Sequence, residues 1–226
     1  EIKVIDSADG APATVTFTAT VAADTLTVGT SSKAGAALFA EAVTVPTINI
    51  TGGDVDAEDS TVTFNKAVTS SSGITLDDNT GVTKVIFAAN NSVDITGTID
   101  GASSGEGTIQ VTGATKTFKS AIGSTSVGTL DIDATPVFES TVGATTIDIA
   151  GSVTATFNDA ITATTIALNG SSTLTISYTG AITVAGNITD TSTNNTINIS
   201  FATHDTAPSL VTFSGAAVAA DTINIG

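Results

Sequence analysis

One short phrase recurs along the whole chain: an aromatic residue closing a Thr-rich run, a Val or Ile four residues later, then two branched aliphatics written I-x-I or I-x-L. TVTFNKAVTSSSGITL (61–76), TATFNDAITATTIAL (154–168) and VTFSGAAVAADTINI (211–225) show it most fully. Aligned on the aromatic, the copies fall at Phe17, Phe39, Phe64, Phe87, Phe118, Phe138, Phe157, Tyr178 and Phe201, about 19 to 31 residues apart and mostly near 22. The position four on holds Val21, Val43, Val68, Ile122, Val142, Ile161 and Ile182, and the aliphatic pairs include Leu26/Val28, Ile48/Ile50, Ile74/Leu76, Leu130/Ile132, Ile147/Ile149 and Ile166/Leu168. Self-similarity at such a period constrains a fold more than any local propensity, because each unit is one supersecondary element that needs its neighbours.

Within a copy, apolar and polar residues alternate with period two in three short runs, which places one set of side chains inward and the other outward on a strand. Turn formers separate the runs: GTSSKAG (29–35), GGDVDAEDS (52–60), DDNTG (77–81) and NGSST (169–173). Three strands of this length cannot bury their own apolar side, but they can if the next copy stacks upon them. The pattern therefore predicts an all-β protein, a parallel β-helix (β-solenoid) of about nine to ten coils of roughly 22 residues. Phe, Val/Ile and Ile/Leu ladders run inside it and Thr lies outside. Residues 1–13 read as a lead-in and 14–226 as one continuous solenoid, whose hand the pattern leaves open. A string of immunoglobulin-like sandwiches, the competing fold, has no such short period and usually carries a core Trp or a Tyr corner.

Composition agrees. The chain is 41% hydrophobic with a mean hydropathy of +0.35, too apolar for a disordered acidic tail. Its apolar residues are chiefly Val, Ile, Ala and Phe, and the β-branched ones are stiff at χ1 and suit pleated strands. Six Lys against 22 acids give a net charge of −16, which repels phosphate backbones and anionic membrane surfaces. No apolar stretch approaches the roughly 18 residues of a membrane helix, so neither nucleic acid nor membrane insertion is expected. With no Cys, stability rests on packing, hydrogen-bond ladders or ions. With no Met, the chain reads as processed or as an excerpt of something longer.

The form TFxxAVTxxTIxL resembles the passenger repeats of bacterial autotransporter surface antigens and of β-solenoid surface-layer proteins, over most of residues 14–226. The resemblance implies an extracellular, bacterial cell-surface location and a structural, adhesive or protective role, with no catalytic residues carried over.

Candidate sites are few. The acidic turns offer Asp54, Asp56, Glu58 and Asp59 beside two glycines, with Asp77 and Asp78 one repeat later. Such stacked loops could supply the carboxylate and carbonyl oxygens that calcium requires. GASSG (101–105) matches G-x-S-x-G, but a nucleophile elbow needs a strand-to-helix turn. His204, the single histidine, lies in a run (FATHDTAPS) that interrupts the repeat. Asp131 and Asp133 could serve as the acid pair of a glycosidase or lyase, though any i, i+2 pair in a strand shares a face. The outward Thr pairs Thr14/Thr16, Thr61/Thr63, Thr115/Thr117 and Thr154/Thr156 suggest an ice-binding array, interrupted at Ala36/Leu38 and Lys84/Ile86. Leu38, Ile86 and Val137 stand where Thr is expected, which suggests a patch covered by a loop or a neighbouring subunit.

VTFTATVAADTLTVG (15–29) returns as VTFSGAAVAADTINIG (211–226), so the chain reads as one long-period repeat followed by the opening of a second. The expected function is a non-enzymatic extracellular protein that builds a surface layer, filament or adhesin stalk. Its expected partners are copies of itself or further repeats of a longer chain, and cell-surface polysaccharide. A carbohydrate-active β-helix enzyme is the alternative, with an ice-binding solenoid behind it.

Overall fold

The computed structural model of the chain describes residues 1–6, 12–53, 59–79, 81–178, 181–201 and 210–226. These form a parallel β-solenoid of about nine turns, with no helix. Every pairing between the described strands is parallel, coil upon coil (for example Thr47–Thr51 on Gly73–Asp77, Thr83–Phe87 on Ser60–Phe64), with register shifts where Ile122–Ile132 meets Val142–Ile149 and where Ile161–Leu168 meets Ala181–Asp190. The period-two alternation of the sequence becomes alternating burial: Ser60–Phe64 (STVTF) turns Ser60, Val62 and Phe64 inward, and Thr47–Thr51 (TINIT) does the same with Ile48 and Ile50.

Three ladders define three faces. On the first, Phe17, Phe39, Phe64, Phe87, Val111, Ile132, Ile149 and Leu168 follow one another, coil upon coil. On the second the series is Val21, Val43, Val68, Ile95, Phe118, Phe138, Phe157, Ile176, Ile199 and Ile225. On the third it runs from Ile2 through Leu26, Ile48, Ile74, Ile99, Ile122, Val142, Ile161 and Val184 to Phe213. Thus Ile2–Val4, within the expected lead-in, already pairs with Thr25–Val28. Nearly all of these residues belong to one buried cluster, so the core is a single column rather than a globule.

The phrase does not keep to one face. Phe87 pairs with Val111, not with Phe118, and Phe118 takes up the column begun by Val21. The interval from Phe87 to Phe118 is the longest between aromatics because it contains one extra strand, Glu106–Val111, and one extra strand advances every later word by one face. The aromatic rings record the change. Phe17, Phe39, Phe64 and Phe87 stack in sequence with interplanar angles of 8°, 20° and 20°, whereas Phe87 meets Phe118 edge-on at 86°, after which Phe118, Phe138 and Phe157 stack again. Both arrangements are favoured by the ring quadrupole.

A second advance follows Phe157, which pairs with Ile176, leaving Tyr178 paired to Phe201 at the margin of the core. The words of 15–29 therefore return in 211–226 on different faces: Phe17 stands in the first column and Phe213 in the third. Such slips are tolerated because these three columns are branched aliphatic or aromatic throughout and accept any of the three words.

The corner between the third and first faces changes character along the rod. In the N-terminal half it carries loops. Later, Ile122–Ile132, Val142–Ile149, Ile161–Leu168 and Ala181–Asp190 run through it as long strands, which joins the two faces into one 15-stranded sheet beside the 10-stranded second face. Gly123, at φ 68°, makes the bend, and a Cβ there would lie 1.8 Å from the Gly143 carbonyl oxygen.

Candidate functional site

The looped corner holds Asp59, Asp77 and Asp78, three of the acids singled out in the sequence. Asp54, Asp56 and Glu58 lie outside the described residues. Asp59, Asp77 and Asp78 are described, and each carboxylate accepts a backbone N–H: Asp59 from Val82 at 3.0 Å, Asp77 from Asn79 at 3.1 Å, and Asp78 from Thr83 at 2.8 Å through Oδ1 and from Gly107 at 2.9 Å through Oδ2. The Thr83 hydroxyl also donates to Asp78 at 2.7 Å. Asp59 and Asp78 thereby reach the following coil, and Asn79 Nδ2 reaches the Ser31 carbonyl at 2.9 Å across the stack. Fully buried Ser60 accepts from Gly35 N–H (3.1 Å) and donates to the Thr51 carbonyl (2.5 Å), locking the roots of two loops together. Among the described residues no three His, Cys, Asp or Glu side chains are grouped as a metal site would require.

A second polar chain occupies a corner of the C-terminal half. Asn195, fully buried, accepts from the Ser172 N–H at 2.8 Å and its hydroxyl at 3.1 Å, and donates to the Leu168 carbonyl at 3.2 Å and to Asp190 at 2.5 Å. Its own N–H donates to Asp221 at 2.9 Å. Each corner side chain thus caps the coil beneath it, as buried polar groups require. The Ser192 N–H, and then the Asn195 amide, hold the Asp190 carboxyl below the usual carboxylate range by bonding to its charged form.

Lys116 was not legible as a site. It stands two residues before Phe118 on the same inward side, in a core position between Val93 and the next coil, and is 0% exposed. Its ammonium donates to the carbonyls of Ala89 at 2.8 Å, Thr112 at 2.7 Å and Ala114. Burial pushes it from 10.5 down to about 8. Because the unfolded chain holds that proton to higher pH than the folded one, the linkage makes stability rise with pH between about 8 and 10.5.

The remaining sequence candidates disperse. GASSG forms a strand end and a tight turn in which Ser103 N–H donates to Glu106 at 2.8 Å, with no helix following. His204 lies outside the described residues. Asp131 is half-buried on the outer side of the first face, its carboxyl raised by burial and then by Asp133, while Asp133 sits in an exposed turn and accepts from Gln110 at 2.7 Å. Thr14/Thr16 and Thr61/Thr63 lie on the first face and Thr154/Thr156 on the second, so the Thr pairs make no single array. Leu38 and Ile86 project from the first face with Thr63 between them, and Val137 from the second, so these three form no one patch.

No protein-family model, curated protein or solved structure matches this chain.

Proposed function

We infer that the chain is a rigid structural element of a bacterial cell surface, a layer, filament or adhesin stalk built by stacking β-solenoid coils. The observation that carries this reading is the unbroken stacking of the coils, each inward column continuing from one coil to the next in parallel pairing. A stack of this kind offers strand edges on which another coil of the same kind can pair, so the assembly it supports is head-to-tail association of coils, a heterologous contact that runs on as a fibre.

The surface location rests on the repeat resemblance, and cell-surface polysaccharide is the partner that this location suggests. Calcium is part of the same proposal: Asp59, Asp77 and Asp78 stand at one corner of successive coils in a chain of charge −16, so neutralising that corner favours association.

Native mass measurement, with chelator and then with calcium, tests the reading. Rods assembled from a subunit of 22.2 kDa indicate docking, and a much larger single chain indicates continuation. Calcium is expected to raise the melting point and the assembled fraction. A small monomer that stays monomeric at high concentration, with or without calcium, overturns the reading.

A further inference from the structure

We propose that Lys116 is a built-in cation: its ammonium fills a cup of three backbone carbonyls, from Ala89, Thr112 and Ala114, and so fixes the place where the repeat advances by one face. Emptied of the lysine, that cup is a binding site for an ammonium-type or similar monovalent cation.

The location is the first support. The corner following Phe87 and the corner following Val111 are stacked, with Thr112 N–H donating to the Phe87 carbonyl and Ala114 N–H to the Ala89 carbonyl. Gly113 turns between them at φ 77°. These corners flank the coil whose extra strand, Glu106–Val111, carries the aromatic from the Phe87 column to the Phe118 column. At this joint carbonyls of both coils converge inward on one point, and the chain places the only fully buried charged side chain among its described residues there.

The donor set is the second. All three ligands are neutral carbonyls, and among the described residues no carboxylate pairs with the ammonium. On the same face Asp94, Lys119 and Glu139 are exposed, and Lys119 and Glu139 pair with each other at 2.7 Å. Carbonyl-only cups suit weakly hydrated monovalent cations, whereas calcium calls for six to eight oxygens including carboxylates. Burial with no counter-charge accounts for the depressed Lys116 value.

Lys116→Ala and Lys116→Met, melted at constant ionic strength in ammonium, methylammonium, potassium or tetramethylammonium chloride, separate this role from mere space filling. Wild type is expected to melt alike in all four salts. Lys116→Ala should melt more than about 5 °C lower, since the carbonyls of Thr112 and Ala114 lose their donor. Ammonium or methylammonium should restore at least half of that loss, while tetramethylammonium, which cannot donate, should restore none. If Lys116→Ala does not fold alone, refolding in methylammonium is the readout, and failure to refold there counts against the cup. Lys116→Met keeps the stem's volume without a donor, so it should be destabilised, unrescued by any salt, and should lack the rise in stability between pH 8 and 10.5 seen in wild type. A Lys116→Met protein as stable as wild type, or an alanine variant indifferent to the choice of cation, would overturn the proposal.

Discussion

Replacing Phe157 by Ala is expected to lower stability by about 3–5 kcal/mol, the range for deleting a fully buried aromatic and leaving a cavity. Phe157 is 1% exposed, and its ring stacks on Phe138 at 4.7 Å with its backbone paired to Phe138 below and Ile176 above. The loss should not stay local. In a stack where each coil touches only its neighbours, stability is a sum of coil terms and interface terms. Weakening one coil weakens the two interfaces it makes. Hydrogen exchange should therefore show lost protection in Thr154–Phe157 and also in Val137–Phe138 and Thr173–Tyr178, while Ser60–Phe64 stays protected. A loss of less than about 1 kcal/mol, the usual result at a surface site, would show that the ring is not in the ladder.

Gly123→Ala should be comparably severe, about 3 kcal/mol or more, for a backbone reason. The left-handed φ of 68° strains any residue with a Cβ, and the added methyl would lie 1.8 Å from the Gly143 carbonyl oxygen, which belongs to the next coil's backbone and cannot rotate away. The strand Ile122–Ile132 would have to leave either its pairing at Ile122 or its pairing from Val127 onward, the two sides of an existing register irregularity. Thermal melting of Gly123→Ala beside Gly105→Ala makes the comparison: Gly105 also has a positive φ, but the nearest atom to its Cβ is 3.4 Å away, so the difference between the two isolates the clash.

The architecture was legible because a solenoid writes itself in the sequence twice, as alternation within a strand and as recurrence between coils. Ser60–Phe64 and Thr47–Thr51 alternate in burial as their residues alternate in polarity. What a sequence alignment on aromatics could not show was phase. Phe87 has Asn91 four residues on and no I-x-I pair where the phrase requires one, and that missing agreement was the trace of the extra strand. The aligned words hid it because Phe, Ile and Val are interchangeable in an inward column, so no residue is forced to keep its face. Tyr178 was drawn into the aromatic series for the same reason, although Ile176 fills the column above Phe157.

Lys116 carried a signal of a different kind. Its parity with Phe118 places it inward, and a lysine at an inward position demands a partner. Because the partners are main-chain carbonyls from Ala89, Thr112 and Ala114, no side-chain motif could announce them. The corner at Asn195 was equally hidden, since Ser172 and Asp221 reach it only through the stacking of coils. The acidic turns, legible as composition, were not legible as geometry: the Asp78 carboxylate brackets Thr83 and Gly107, a role that spacing alone does not distinguish from metal ligation.

The chain has no Cys, so paired cysteine substitutions report directly on which coils are neighbours. Adjacent strands lie about 4.7–4.9 Å apart, within the Cα range of a disulfide. Ile86 pairs with Gln110 across the first face, whereas an alignment on the aromatics would place Ile86 beside Thr117. Under mild oxidation, Ile86→Cys with Gln110→Cys should cross-link rapidly within one chain, as should Thr117→Cys with Val137→Cys on the second face. Ile86→Cys with Thr117→Cys should stay reduced. Closure of the 86–117 pair with an open 86–110 pair would contradict the solenoid whose repeat changes face between Phe87 and Phe118.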